Sequence, residues 1–202
     1  MAALHLHAEC NVIRIQLRQN LILRHMTPEL WDELEPQLCI EDYRKGESLV
    51  NQGDLNMEQY FILDGILKRA VANREGKEMI LRFAAETEMD TAYAAWKLKT
   101  PSPYSIRAVT KVRVAKLPIH TWAAFMDRHT LIKSEFEFEV MRLMSEVMAH
   151  TITLHLLDAP GRVHRFIRKH PQLLSRVPKK ELASYLNLSP ETLSRLKQRG
   201  KI

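Results

Sequence analysis

Four of the six glycines lie between residues 46 and 76, and their spacing limits what the middle of the chain can form. They separate short runs rich in β-branched and aromatic residues, namely SLVNQ, QYFILDG, ILKRAVA and EMILRFA. Such runs with glycine between them are typical of antiparallel β-structure. A less regular segment, AAETEMDTAYAAWKLKTPSPY, follows, and SIRAVTKVRVAKLP then resumes the strand-like alternation. The sequence therefore predicts a β-sandwich or β-barrel between helical segments, an α+β fold.

Helical patterns lie on both sides of this β-region. In TPELWDELEPQL, Thr27 is a predicted N-cap and Pro28 the first helical residue. HTWAAFMDRH reads as a short amphipathic helix, and Pro160-Gly161 is predicted to end the last helix before the C-terminal region and form a hinge.

The segment from about 131 to 157 contains no Gly or Pro, which predicts a helix of roughly 40 Å. Apolar side chains recur along it every three or four residues. The stripe consists of Phe138, Met141, Met144 (or Ser145), Met148, Ile152 and, at its polar end, His155. A helix of this length exceeds what a small β-domain covers, so we expect part of this stripe to face another subunit. Packing wholly within one chain is the alternative.

The positive charge is concentrated at the C-terminus. The net charge is +6, and residues 160–202 hold 11 Lys or Arg but only two acids, Glu181 and Glu191. This part is therefore +9 and the remainder is −3. The asymmetry favours a polyanion-binding domain joined to a slightly acidic one. A solvated basic face is the alternative.

The most specific stretch is VPKKELASYLNLSPETLSRLKQRGKI, residues 177–202. KKELASYL predicts a helix, with Leu182, Tyr185 and Leu186 at packing positions. Asn187 follows where the backbone must turn sharply, and Asn accepts left-handed geometry better than most residues. Ser189 is then a predicted N-cap, with Pro190 as the first residue of a second helix, ETLSRLKQR.

The second helix presents different chemistry on its two sides. Leu193 and Leu196 point inward with Leu188, whereas Glu191, Thr192 and Arg195 project outward near the helix N-terminus. A recognition helix reads base edges in the major groove with residues in this position. Arg pairs with guanine, and Glu accepts from cytosine N4. The flanking cations suited to DNA phosphates are Lys179, Lys180, Lys197 and Arg199. An ordinary helical hairpin with a Glu191–Arg195 surface pair is the alternative.

KKELASYLNLSPETLSRLKQ resembles the helix-turn-helix of the catabolite-activator/FNR (Crp/Fnr) family of regulators. YRKGESLVNQGD and YFILDGILK resemble the strands of that family's cyclic-nucleotide-binding-like β-roll, a jelly roll, and LLDAPGRV resembles its hinge. The resemblance implies a sensor domain at 1–130, a dimerisation helix and hinge at 131–159 and a helix-turn-helix DNA-binding domain at 160–202. It places the base-contacting positions on Ser189, Pro190, Glu191, Thr192 and Arg195.

The resemblance also implies partners, and the chain differs from the family in one respect. It implies a homodimer on a near-palindromic double-stranded DNA site, with RNA polymerase as a further partner. Family members often carry a β-hairpin wing after the recognition helix, but here only RGKI follows, so we expect a minimal wing or none. In this respect the chain resembles the short regulators of Bacteroidetes-type bacteria.

The sequence matches the family's cyclic-AMP-binding segment poorly. The family's phosphate-binding segment begins Gly-Glu and ends Arg-Ser or Arg-Thr, but here the start reads Thr87-Glu88-Met89 and the end holds Ser102 and Pro103. The close-approach residue and the charge partner are both missing. The same region offers side chains for a different small effector, or for filling the core: Glu88, Met89, Tyr93, Trp96 and Tyr104.

Other function classes lack support in the sequence. Two cysteines cannot ligate a four-cysteine iron–sulfur cluster, and His5, His7 and Cys10 have metal-like spacing without a fourth ligand nearby. We therefore expect no metal and no cofactor. No G-x-S-x-G, Walker, dinucleotide or H-E-x-x-H motif occurs, so no catalytic residue is predicted and an enzyme is not expected. The start of the chain resembles no secretion signal, which favours a soluble cytoplasmic protein without membrane contact.

Two functions remain open at this point. The leading hypothesis is a homodimeric, sequence-specific DNA-binding transcription regulator, controlled by a small effector other than cAMP if by any. The alternative is an effector-sensing adaptor that keeps the β-domain and long helix and acts through protein contacts instead of DNA.

Overall fold

The computed structural model describes residues 2–76 and 78–198. Over these residues, nine strands form two antiparallel sheets, which make up the β-domain. The strands are β1 (Ala2–Ala3), β2 (Cys39–Tyr43), β3 (Ser48–Val50), β4 (Glu58–Asp64), β5 (Leu67–Ala72), β6 (Glu78–Ala84), β7 (Met89–Thr91), β8 (Ser105–Ala108) and β9 (Val112–Pro118). One sheet has the order β1-β2-β9-β4-β7 and the other β3-β8-β5-β6. The predicted antiparallel β-domain is thus confirmed.

Eight α-helices surround and follow the sheets in the described part of the chain. They are α1 (Cys10–Leu17), α2 (Pro28–Leu34), α3 (Tyr93–Lys97), α4 (Ile119–Arg128), α5 (Thr130–Leu156), α6 (Ala159–Lys169), α7 (Lys179–Tyr185) and α8 (Pro190–Gln198). Within these ranges no helix is both long enough and apolar enough to cross a membrane.

Glycine at the turns follows from backbone geometry. Gly65 joins β4 to β5 with φ +93°, and a Cβ there would lie 2.2 Å from the carbonyl oxygen of Lys111. Only glycine fits a left-handed turn pressed against another strand. Gly65 therefore holds β5 close to the β8–β9 turn.

The interior is divided among three apolar clusters. One lies between the sheets around Tyr60, Ile62 and Val114. A second joins the sheets to α2, α4 and the first half of α5, with Trp122 and Phe136 at its centre. The third joins the outer face of β5 and β6 to the C-terminal helices. The C-terminal helices are therefore packed on the β-domain through a shared core.

The connection between α5 and α6 differs from the sequence prediction. The long helix ends at Leu156, and Pro160-Gly161 lie in the first turn of α6 instead of terminating α5. Asp158 caps the new helix, since its side chain accepts a hydrogen bond from the Gly161 N–H at 2.9 Å. Proline is tolerated in a first turn because its missing N–H has no partner there anyway.

Candidate nucleic-acid interface

Helices α7 and α8 are joined by a sharp turn at Asn187, which has φ +51°. The predicted left-handed turn is thus confirmed. The Leu188 N–H donates to the Ala183 carbonyl at 2.9 Å, which closes the turn. Arg162 on α6 donates from Nη1 to the Leu186 carbonyl at 3.2 Å. This contact could not be predicted from the sequence, because the arginine's partner lies 24 residues away.

Ser189 caps the N-terminus of α8, as predicted. Its Oγ accepts a hydrogen bond from the Thr192 N–H at 3.1 Å. Hydrogen bonds from its own backbone N–H and from Ser189 hold the pKa of the Glu191 carboxyl below its usual range. Glu191 is therefore ionised at neutral pH, at the end of the helix where the backbone dipole favours an anion.

The two faces of α8 differ sharply in exposure. Leu193 and Leu196 are buried in the cluster shared with the β-domain. On the other side Ser189, Glu191 and Arg195 are exposed, and Pro190 and Thr192 are half-buried. Four of the five residues predicted to contact bases thus lie at the N-cap and in the first turn of α8, and Arg195 lies one turn further along.

The cations singled out for phosphate contact surround this face. Lys179, Lys180 and Lys197 are exposed. The Lys179 ammonium donates to the Ser194 hydroxyl and so ties α7 to α8. Arg199 lies outside the described residues.

The helix pair is fixed to the β-domain by polar and aromatic contacts. Lys68 on β5 pairs with Glu181 on α7 at 2.7 Å and with Glu78 on β6 at 2.5 Å. Phe83 on β6 contacts the ring of Tyr185 on α7 with centroids 5.2 Å apart. The candidate DNA-binding helices are thus held by the outer face of the sheet.

The residues singled out as an effector pocket lie in and around the core of the β-domain. Met89 and Tyr93 are buried, while Trp96 and Tyr104 are half-buried and pack against the same cluster. The Tyr104 hydroxyl donates to the Thr91 carbonyl at 2.9 Å. The Glu88 carboxylate accepts from the Ala85 N–H at 2.8 Å, and burial raises its pKa above the usual range.

The backbone at Thr87 is left-handed. Thr87, which stands where the family has glycine, adopts φ +69°. The left-handed conformation is therefore present although the residue carries a side chain that glycine lacks.

Sequence reasoning missed a buried ionic group next to this region. Asp90 is fully buried and accepts a hydrogen bond from Arg69 Nε at 2.7 Å. Arg82 approaches the second Asp90 oxygen at 3.6 Å, and the Arg69 guanidinium lies 4.6 Å from the centre of the Tyr104 ring. The only signal in the sequence was charged residues inside strand-like runs. These groups occupy part of the interior between β6 and β7.

His5, His7 and Cys10, whose spacing is metal-like, belong to no cluster of potential metal ligands among the described residues. Within residues 2–76 and 78–198, no three His, Cys, Asp or Glu side chains come together as a metal-ion site.

Comparisons with known proteins agree with this architecture. Residues 40–129 match the cyclic nucleotide-binding domain. The chain is 20% identical over 167 residues to the cAMP-activated global transcriptional regulator CRP of Salmonella typhimurium, covering 78% of this chain and 80% of that protein.

Two solved structures share the fold at low identity. A putative Crp/Fnr transcriptional regulator from Eubacterium rectale superposes with a TM-score of 0.71 at 14% identity, covering 90% of this chain and 87% of that one. FixK2 from Bradyrhizobium japonicum gives 0.69 at 16% identity, covering 81% and 86%. The chain is thus similar to Crp/Fnr transcription regulators in its cyclic nucleotide-binding domain and shares their fold.

Proposed function

We propose that this chain is a sequence-specific DNA-binding regulator that acts as a homodimer, with α8 as the helix that enters the major groove. The observation that carries this proposal is the N-terminal end of α8. There the exposed Glu191 and Arg195 lie one helical turn apart, beside Thr192, while Leu193 and Leu196 anchor the other side. In helix-turn-helix proteins, residues near the N-terminus of the second helix contact base edges in the major groove.

The assignment of contacts follows from side-chain chemistry. Arg195 donates two hydrogen bonds to guanine O6 and N7, and the ionised Glu191 accepts from cytosine N4. Ser189, Pro190 and Thr192 complete the reading surface. Phosphates on either side are held by Lys179, Lys180, Lys197 and Arg199, which fix the register without reading sequence.

Dimerisation is proposed to use the apolar stripe of α5. The five large apolar side chains of this stripe are each half exposed or more: Phe138 65%, Met141 62%, Met144 57%, Met148 66% and Ile152 50%. Apolar stripes of this size on one helix face mark contact surfaces. The opposite side of α5 is already buried against the β-domain through Ile132, Phe136 and Leu143. A second copy packed on the stripe would present two recognition helices to successive major grooves, about 34 Å apart.

We assign each of three segments of the chain its own role. Residues 1–130 form the sensor domain, 131–159 the dimerisation helix and hinge, and 160–202 the DNA-binding domain, with RNA polymerase as a further partner. The effector is a small molecule other than cAMP. In support, the Ser102 hydroxyl already donates to the Tyr104 carbonyl at 2.7 Å, and the buried Arg69 already donates to Asp90. These two donors are therefore in use and are not free to meet a cyclic phosphate.

The test is a selection of bound duplexes from random DNA, followed by titration of the selected site. Wild type and Arg74→Ala, a change of an exposed arginine on the β-domain, are expected to bind with the same affinity and sequence preference. Arg195→Ala is expected to lose preference at one base pair, at a cost of about 1–3 kcal/mol. Failure to select any sequence, or an unchanged preference in Arg195→Ala, would contradict DNA reading by α8 and favour the adaptor.

A further inference from the structure

A basic indentation lies where the long helix meets the DNA-binding helices. It is a small indentation that opens to solvent. Its lining comes from three helices, with His150 and Thr153 on α5, Arg162, Arg165 and Lys169 on α6, and Tyr185 on α7. We call it the junction pocket.

The charge of the junction pocket is one-sided. Three cationic side chains line it, together with His150 and His170, and no lining residue of the described structure is acidic. Outside the lining, the Glu146 carboxylate lies 3.8 Å from the ammonium of Lys169. Arg162 donates hydrogen bonds from Nε and Nη1 to backbone carbonyls. Arg165, by contrast, forms no ion pair with any residue that the structure describes. A concave surface with this excess of positive charge favours an anion.

His150 supplies a second, independent indication. The residue is only 8% exposed, and its Nε2 atom has no hydrogen-bond partner. Its ring lies flat on Tyr185, with centroids 3.8 Å apart and an angle of 6° between the planes. A buried ring nitrogen without a partner costs free energy, so it is expected to meet a polar group when the pocket is occupied.

We propose that the junction pocket binds the phosphate group of a small metabolite, with Arg165 and Lys169 as charge partners and His150 Nε2 as a hydrogen-bond partner. Charge-assisted hydrogen bonds to phosphate oxygens are short and strong, and arginine suits their geometry. A bound phosphate group joins α5, α6 and α7, because its partners lie on the first two helices and His150 stacks on the third. Insofar as the chain has the proposed function, occupancy would stiffen the link between the dimer helix and the DNA-binding helices.

Binding is measured without DNA, so that it is independent of the proposed function. The melting temperature of the full chain is recorded in increasing inorganic phosphate, with chloride replacing it at constant ionic strength. Wild type is expected to gain about 3–5 °C at ten times the dissociation constant. Arg168→Ala, an exposed position on α6 outside the pocket, serves as the matched control and is expected to gain as much.

Variants of the pocket complete the test. Arg165→Ala and Lys169→Ala are expected to lose most of the gain in phosphate while melting normally in chloride. His150→Phe keeps the stack on Tyr185 and removes Nε2, so it is expected to weaken phosphate binding without lowering the melting temperature in chloride. An equal gain in all variants, or no gain in wild type, would overturn the proposal.

Two further arms identify the source of the phosphate group. A phosphate monoester such as glycerol phosphate is expected to act like inorganic phosphate. If random-sequence duplex DNA requires Arg165 and Lys169 while inorganic phosphate and the monoester have no effect, the pocket takes a DNA backbone phosphate and the small-metabolite proposal is wrong.

Discussion

His150 on the long helix stacks face to face on Tyr185 of the helix-turn-helix, with ring centroids 3.8 Å apart. The stack connects the helix with the exposed apolar stripe directly to the candidate DNA-binding module. Burial lowers the pKa of His150 to about 4, against a hydrogen bond with the backbone of Tyr185 that acts to raise it. The positive charges of Lys169, His170 and Arg165 contribute to the same lowering of the pKa. The neutral ring is thus part of the folded structure.

Stability is expected to fall in mild acid because of His150. Its folded pKa of about 4 lies below the ordinary value of 6.5, so the unfolded chain takes up the proton first as the pH decreases. The free energy of unfolding should therefore decrease between pH 6.5 and 4, by about 1 kcal/mol per pH unit from this group. When the free energy of unfolding is measured by urea denaturation at several pH values, it should fall less steeply with decreasing pH in His150→Phe than in wild type. The exposed His164→Phe is the control, and a slope in His150→Phe equal to that of wild type would contradict the expectation.

Local rules explain why the helix-turn-helix could be predicted. The left-handed Asn187 and the Ser189 cap are set by residues within a few positions of each other, which the sequence displays directly. The docking of this module on β5 and β6 could not be predicted, because Lys68 and Glu181 are 113 residues apart. The same holds for the buried Arg69–Asp90 pair, since two charges in strand-like runs do not reveal that they meet.

Asn187 should discriminate between substitutions by backbone conformation. At φ +51°, glycine is expected to be tolerated within a few tenths of a kcal/mol, whereas Asn187→Val should cost about 1–2 kcal/mol because its branched Cβ clashes in left-handed geometry. Chemical denaturation measures both. As a control, Asn51→Val tests the same replacement on the β-domain in an exposed loop. Equal costs for Asn187→Gly and Asn187→Val would argue against a strained turn.

The buried charges of the β-domain should be stable only as a set. Asp90→Asn leaves Arg69 in the interior without its anion and is expected to destabilise the chain by about 3–5 kcal/mol. Replacing both partners, as Arg69→Met with Asp90→Leu, should recover part of this loss, since Arg82 still loses its contact with Asp90. The measurement is a double-mutant cycle in urea. Additive losses in the double variant would mean that the two side chains do not stabilise each other.

Phosphate contacts should respond to salt. Lys180→Ala removes an exposed charge beside α8 and is expected to weaken binding to selected and random DNA alike. The slope of log affinity against log salt should decrease by about one. Lys45→Ala, an exposed lysine on the β-domain, is the matched control and should keep the wild-type slope. A loss confined to the selected sequence would instead assign Lys180 to base reading.

Charge placed in the stripe of α5 should separate the subunits. Met148 is 66% exposed in the single chain, so Met148→Glu is not expected to disturb the fold of a monomer. In a dimer through α5 it would bury two carboxylates close to the symmetry axis, where desolvation and like-charge repulsion oppose association. Sedimentation equilibrium should therefore show half the wild-type mass, together with weaker binding to a two-half-site DNA. Leu98→Glu, at a similarly exposed apolar position that is not part of the stripe, should remain dimeric. An unchanged mass for Met148→Glu would place the dimer contact elsewhere, and a monomeric wild type would remove it altogether.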